Sequence, residues 1–394
     1  MATIDEQTAA PSATSTPSHR VRSLDGLRGV AALVVVINHI MVTATTFADV
    51  ANTSGRADTL SFEWWLSYTP LHLLWGGTEA VFIFFILSGY VLTGPTEKKS
   101  FSWSAYYPKR LVRLYLPVWG SLVLAGLSTL VVARHGVDGG SWWVNNHEPF
   151  NVKSATVSGL LLGPIDFLNN PLWSLSWEVW FSLLLPAYVV LCRRSAETLQ
   201  RTVLFLALLV VTVAAGTLTD SKALRYLPMF AIGILLYMQR EAISRWAATL
   251  DTKRWAWPAI LCGSITLLTG YWMAQASPAI PEALVTLARS GQVIGAALVV
   301  IIALHWGPAR TFLQLPAIGW LGARSFSLYL THDAVVISTT FALGGTPPLW
   351  ITALIAVPTS LLLAELFFRT VERPSHELSK RVGTARQGKA ARRK

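Results

Sequence analysis

Long apolar runs alternate with short polar joints along this chain. Ten runs fall near residues 26–46, 71–94, 111–134, 172–192, 202–219, 223–239, 255–274, 289–306, 319–343 and 348–369. Most reach the ~17–25 residues that a helix needs to cross hydrocarbon. The pattern predicts an all-α polytopic membrane protein of about ten transmembrane helices. The runs 202–219 and 223–239 are short, are joined by Thr219-Asp220-Ser221-Lys222, and are expected to be tilted or partly re-entrant. Two joints are long: 47–70, with Trp64 and Trp65, and 135–171, with Trp142, Trp143, Asn145, Asn146, His147 and Glu148. Aromatic rings beside amides and carboxylates can stack on a sugar and hydrogen-bond it; for the tryptophans alone an interfacial aromatic belt is the better account.

Composition agrees with lipid as the surrounding solvent. Hydrophobic residues make up 53% and charged residues 13%, against about 25% charged in soluble domains. A net charge of +11 invites a nucleic-acid partner, but its distribution excludes that reading. With the N-terminus inside and an even number of crossings, only six of the 32 Lys and Arg fall outside: Arg56, Arg134, Lys153, Lys222, Arg225 and Arg289. That alternation follows the positive-inside rule, so both termini are expected in the cytoplasm and the protein in the cell membrane as a multi-pass chain. Residues 1–19, rich in Ala, Ser, Thr and Pro, read as a disordered tail. The first run is a poor cleavable signal peptide, because Ala48-Asp49-Val50-Ala51 is a weak cleavage site. Residues 376–394 form a basic tail suited to an anionic inner leaflet. Cys192 and Cys262 have neither disulfide nor metal spacing, and no metal site is expected. No fixed-period repeat and no matched pair of broken helices marks 20–375, which reads as one integral domain.

Ionisable groups inside apolar runs are expensive and point to function. Arg28 and His39 share the first run, eleven residues apart. That is about three turns, so both lie on one face, roughly 16 Å apart along the axis. Arg28 alone reads equally as one more positive-inside residue, whereas an imidazole deep in the run is a natural general base for a hydroxyl. The second run ends Phe84-Phe85-Ile86-Leu87-Ser88-Gly89-Tyr90, in which glycine permits close backbone approach and Ser88 can hydrogen-bond across helices. Arg110 and Arg113 share a face at the next entrance, as a pair able to grip phosphates. In the fourth run Glu178 lies about 10 Å inside the outer boundary, next to Trp173-Ser174-Leu175. It is expected to meet His39 and orient it, or to bind acceptor hydroxyls. The ninth run carries Ser325, Tyr329 and His332 on one stripe, with Asp333 adjacent and costly to bury unpaired. Arg369, Glu372, Arg373 and Pro374 read as an ion-pair cluster closing the last run.

Together these segments resemble the integral-membrane acyltransferase-3 family, the O-acyltransferases that modify surface glycans and some antibiotics. The resemblance covers about 20–375. It rests on Leu24-Asp25-Gly26-Leu27-Arg28-Gly29, on Arg28 with His39, on Phe84-Phe85-x-Leu87-Ser88-Gly89-Tyr90 and on Arg110-x-x-Arg113. Trp173-Ser174-Leu175-x-x-Glu178, Ser327-Leu328-Tyr329-Leu330-x-His332 and Glu372-x-Pro374 extend it. The resemblance implies a ten-helix core, an acyl-CoA donor entering from the cytoplasm, and His39 as the essential histidine. It also implies that Arg28, Arg110 and Arg113 bind the donor. Ala334 stands where the family often has proline, and the 394 residues hold no hydrolase-like domain of the kind some members carry. The acceptor is therefore expected to be handled by the membrane domain itself.

The expected activity is transfer of a short acyl group from acyl-CoA, acetyl-CoA foremost, to a hydroxyl of a glycan or glycosylated small molecule. His39 acts as general base or acyl carrier. Ser88 joins the arginines around the donor, and Tyr329, His332 and Trp173 face substrate. The rival reading is a proton-coupled transporter with His39, Glu178, His332 and Asp333 as its relay; a third is a non-catalytic scaffold.

Overall fold

The computed structural model describes residues 21–391, with the exception of Glu148, Pro164 and Asp166, and only the backbone of 384–391. The tail 1–19, Glu148 and the terminal basic side chains therefore lie outside the described residues. Within them the fold is helical throughout, with no strand.

Helix α1 (Arg22–Met41) crosses first and leads into short α2 (Thr45–Ala51) and α3 (Phe62–Tyr68). Ser61 stops the preceding coil by accepting the amide of Trp64, and a 3₁₀ turn, Pro70–Leu74, delivers the chain to α4 (Gly77–Thr96). The long α5 (Trp103–Val131) returns, and α6 (Trp142–Asn145) and α7 (Val152–Leu160) form a second group of short helices. Next come α8 (Leu172–Ser195), α9 (Leu199–Leu218), α10 (Lys222–Met238), the polar α11 (Arg240–Asp251), α12 (Ala256–Gln275), α13 (Glu282–His305) and short α14 (Gly307–Leu313). Helices α15 (Pro316–Ala342) and α16 (Leu349–Phe367) close the bundle. A single π turn, Phe368–Glu372, then bends the chain into α17 (Arg373–Ala391), which packs along α5.

Ten of these helices, α1, α4, α5, α8, α9, α10, α12, α13, α15 and α16, coincide with the ten apolar runs. By length and composition seven helices among the described residues can cross a membrane. Of the rest, α10 is only 17 residues long and α15 is interrupted by buried polar groups. Helix α9 makes the lipid argument directly. Its Leu199, Leu204 and Val211 are each more than 60% exposed, which only hydrocarbon makes tolerable.

Two close crossings fix the interior. On α1, Gly26 and Gly29 lie against α14 and α15. A methyl on Gly29 would come within 2.5 Å of the amide nitrogen of Gly322, and one on Gly322 within 2.2 Å of the carbonyl oxygen of Asp25. Only hydrogen fits between these backbones. Gly89 of α4 and Gly233 of α10 make a second such crossing, each facing the other helix's carbonyls. The first brings α1 and α15 together along the length that carries His39 and His332. The second anchors an aromatic core of Phe82, Phe85, Phe181 and Phe230.

Helix α1 runs about 25 Å from Arg22 to His39 at 1.5 Å per residue. Its start defines a basic face of the bundle, shared by the ends of α4 and α8 and the starts of α5 and α15. The opposite, capped face holds α2, α3, α6 and the 3₁₀ turns. Ser141 bonds the carbonyl of Val42 at 2.8 Å, and the indole N–H of Trp142 bonds that of Ala48 at 2.8 Å, tying the cap together.

Candidate active site

Three histidines and one carboxylate converge under the cap. His39 is 7% exposed, His147 2%, and His332 and Asp333 are fully buried. Nδ1 of His39 lies 3.1 Å from Nε2 of His332 and 3.1 Å from Oδ1 of Asp333. The His39 and His332 rings are 4.8 Å apart, and the Trp143 ring closes over His39 at 5.0 Å. Asp333 is held by the backbone N–H of Asn170 at 3.0 Å on Oδ2, with Nε2 of His147 3.4 Å from the same oxygen. The joint 135–171 thus folds inward: Asn169 donates to Ser121 and to the Leu330 carbonyl, holding the turn Phe167–Asn169 between α5 and α15.

The hydrogen-bond partners fix where the protons sit. Nδ1 of His332 lies 2.9 Å from the carbonyl oxygen of Leu328, so that nitrogen must carry the hydrogen. With both imidazoles neutral, Nε2 of His332 is then an acceptor, and the proton between the rings belongs to Nδ1 of His39. Nε2 of His39 keeps its lone pair and has no hydrogen-bond partner among the described residues. Oδ1 of Asp333 is left without a hydrogen bond there as well, since the His39 N–H aims at His332. A small rotation of the ring transfers that N–H to the carboxylate. This is the arrangement of a general base: one nitrogen free, the other backed by an acceptor that stabilises the imidazolium. His147 follows the same logic. Its Nδ1 donates to the carbonyl of Trp143 at 2.7 Å, which turns Nε2 toward Oδ2 of Asp333.

A second polar group lies nearer the basic face. Arg110 bonds Oε1 of Glu178 at 2.5 Å through Nη2 and Ser182 at 3.1 Å through Nε. Ser88 donates to the same carboxylate oxygen at 3.1 Å. Arg113 is in electrostatic reach of Arg110, Arg28, Glu372 and Glu178, and Arg28 faces Asp25 one turn earlier, 3.9 Å away. The three arginines expected to act together are therefore brought together.

The expectation that Glu178 meets His39 is corrected. Helix α8 presents Glu178 to α4 and α5, where a guanidinium and a hydroxyl hold it, while α15 occupies the face of α1 beside His39. The carboxylate at the imidazole is Asp333. The same placement breaks the proposed transporter relay, because no contact among the described residues joins Glu178 to the histidine cluster. Tyr329 lies between the two groups: its ring is 6.0 Å from His332, and its hydroxyl bonds Ser174 at 2.7 Å. Trp173 packs at 5.3 Å on Tyr226 in the aromatic core and is not brought to His39. Ser325 turns its hydroxyl to its own helix, bonding the carbonyl of Gly322 at 2.9 Å. The expected ion-pair cluster of Arg369, Glu372 and Arg373 is corrected: Arg369 pairs with Glu365 and Arg373 with Glu377, while Glu372 captures the amide and hydroxyl of Ser327, at 3.1 and 2.5 Å.

His147 and Asp333 are the site members that sequence reasoning underrated. Asp333 stood out only by its burial cost, and His147 only as part of an aromatic loop. Arg134, counted as an outer-loop cation, is 6% exposed, and its Nε and Nη1 have no hydrogen-bond partner among the described residues. It lies in electrostatic reach of Asp333 and offsets that charge from the α5 side.

Residues 21–369 match the family Acyl_transf_3, described as an acyltransferase domain. Acyltransferase MdmB of Streptomyces mycarofaciens is 27% identical, over 80% of this chain and 79% of its own length. The putative peptidoglycan O-acetyltransferase YrhL of Bacillus subtilis is 26% identical over 91% of this chain. The peptidoglycan O-acetyltransferase OatA of Listeria monocytogenes is 25% identical over 90%. This chain spans about half, 55%, of the length of each of these two. No solved structure matches. The match covers nearly the whole helical bundle and every residue of both polar groups except Glu372, and the chain belongs to this acyltransferase family, as a multi-pass membrane enzyme.

Proposed function

We propose that the protein moves a short acyl group, acetyl foremost, from a coenzyme A thioester to a hydroxyl of a glycan or glycosylated small molecule. The basic face is the cytoplasmic one in this reading. Donor phosphates rest on Arg113 and Arg28, with Arg110 held in place by Glu178 and Ser182. The roughly 16 Å between Arg28 and His39 suits an extended pantetheine arm. The acceptor comes from the capped face.

In the reaction, Nε2 of His39 removes the proton of the acceptor hydroxyl as its oxygen attacks the thioester carbonyl. The tetrahedral intermediate expels the coenzyme A thiolate, which takes the proton back from His39. Asp333 stabilises the transient imidazolium through the Nδ1 hydrogen. Tyr329 and His332 line the route between donor and acceptor.

The observation that carries this reading is a histidine whose Nε2 has no hydrogen-bond partner among the described residues and whose other nitrogen is backed by Asp333 and His332. The test is acetyl-CoA turnover by purified protein, with acyl transfer to extracted cell-wall glycan followed by mass spectrometry. His39→Ala should be inserted and folded as the wild type, yet lose transfer by about a hundredfold or more. Retained turnover in that variant would refute the assignment.

A further inference from the structure

A cavity of about 240 Å³ opens at the capped face, between the loop after α2 and the end of α12. Six of its lining residues carry recognition chemistry: Thr53, Ser54, Arg56, Tyr68, Trp272 and Gln275. Volumes of drug-sized pockets begin near 300 Å³, so this one takes a single ring with its substituents rather than an extended chain.

Its walls are held unusually firmly. Trp272 is 4% exposed; its indole N–H donates to Oε1 of Glu79 at 2.7 Å, and its ring stacks on His72 at 4.3 Å. The same carboxylate oxygen accepts from Gln292 at 2.6 Å, and Glu79 is itself 2% exposed. A buried carboxylate is costly unless its donors are fixed. Here the donors are the indole that walls the cavity and the amide beneath it. The side-chain nitrogen of Gln275 is taken by the hydroxyl of Tyr271 at 2.9 Å, which turns its amide oxygen out as an acceptor. Thr53, a β-branched residue, sits in the left-handed region at φ 58°, a strained conformation of the kind that collects at ligand clamps. Arg56 is exposed and has neither a carboxylate nor a hydrogen-bond partner among the described residues.

We infer that this cavity binds a sugar unit bearing an anionic oxygen, with Arg56 on the anion, Gln275 and Thr53 on hydroxyls, and Trp272 with Tyr68 against the ring. This deepens the acyltransferase reading and rests on it for the word acceptor: the cavity holds another unit of the acceptor that is acylated at His39. Packed side chains join the cavity wall to the first span. The Trp272 ring packs on His72, His72 on Trp75 at 4.6 Å, and the Trp75 carbonyl accepts from Asn38 at 2.9 Å, next to His39 on α1. A guanidinium recognises carboxylate and phosphate alike, so the class is defined by charge and ring together.

Calorimetric titration of the purified full-length protein with glucuronic acid, glucose 6-phosphate and glucose tests this without any donor present. The result is therefore independent of whether acetyl-CoA is turned over, which the wild type reports in a separate assay. At least one of the two anionic sugars should bind tenfold or more tighter than glucose, and which of them does so separates carboxylate from phosphate recognition. Arg56→Ala should abolish that preference, and Arg56→Lys should restore part of it. Equal binding of glucose, no binding of either anionic sugar, or an unchanged preference in Arg56→Ala would each overturn the assignment. Arg56 is exposed in a loop, so its variants should keep the wild-type melting temperature.

Discussion

Nδ1 of His39 lies 3.1 Å from Oδ1 of Asp333, joining the first span to the ninth through one nearly buried and one fully buried polar group. The contact makes Asp333, rather than Glu178, the carboxylate that tunes the imidazole. Asp333→Asn keeps the size of the side chain and an acceptor for the Asn170 amide but removes the charge that stabilises the imidazolium. Its kcat should fall by about a hundredfold or more, the range of lost acid–base catalysis, with little change in donor KM. Glu178→Gln should not show this pattern. A Asp333→Asn enzyme within threefold of wild type in kcat would remove Asp333 from the mechanism.

His147 holds the other oxygen of Asp333 and the carbonyl of Trp143, whose ring covers His39. His147→Phe removes both hydrogen bonds at similar volume. A charge-assisted bond is worth about 1.5–3 kcal/mol, so transfer should slow by about ten- to a hundredfold. His147→Gln, which keeps a neutral donor, should recover part of the loss. Steady-state kinetics of the two variants decides it; equal rates in both would leave His147 with a packing role only.

Much of this geometry was open to sequence reasoning, and the reasons for the rest are physical. The ten apolar runs marked the spans because lipid imposes length and composition on each helix independently. Arg28, Arg110 and Arg113 were legible because cations gather at one membrane face and spacing alone puts the last two on one side of a helix. The partner of His39 was not. Depth along a helix can be counted, but which neighbour faces which is decided by crossings such as Gly29 against Gly322, and a linear pattern does not say which glycines pair. Glu178 and Asp333 were both buried carboxylates at suitable depth; the crossing of α1 with α15 chose between them. His147 was hidden for a different reason. It lies on a joint that folds back into the bundle, and no periodicity reports that.

The α1–α15 crossing itself can be tested. A methyl on Gly322 would meet the Asp25 carbonyl oxygen at 2.2 Å, backbone against backbone, with no side chain able to yield. Gly322→Ala should destabilise by at least about 1–3 kcal/mol, as overpacked interiors do, and should cost activity by separating His39 from Asp333. Gly263→Ala on α12 is the control. Nothing lies within 4 Å of its added methyl, and alanine's better helix propensity should leave stability level or up to about 1 kcal/mol higher. Thermal melting in detergent, read beside turnover, checks both. A Gly322→Ala protein as stable and active as wild type would mean that the helices do not cross where they are described.

At the basic face the two arginines of the Arg110-x-x-Arg113 motif should separate by function. Arg110 is already committed to Glu178 and Ser182, with only 11% of its side chain exposed, whereas Arg113 has no hydrogen bond or close ion pair among the described residues. Arg113→Ala should raise donor KM by about tenfold, the loss of one charge-assisted phosphate contact, and should weaken the salt dependence of donor binding. Arg110→Ala should instead lower stability, because it leaves Glu178 partly buried without its cation. The double variant Arg110→Ala with Glu178→Gln should recover part of that loss, with a coupling of about 0.5–3 kcal/mol, since the two side chains are in contact. Donor titration and thermal melting across the four proteins of the cycle distinguish the roles: if Arg110→Ala changed only donor KM and melted as the wild type, the 2.5 Å pair would be a donor site rather than a brace.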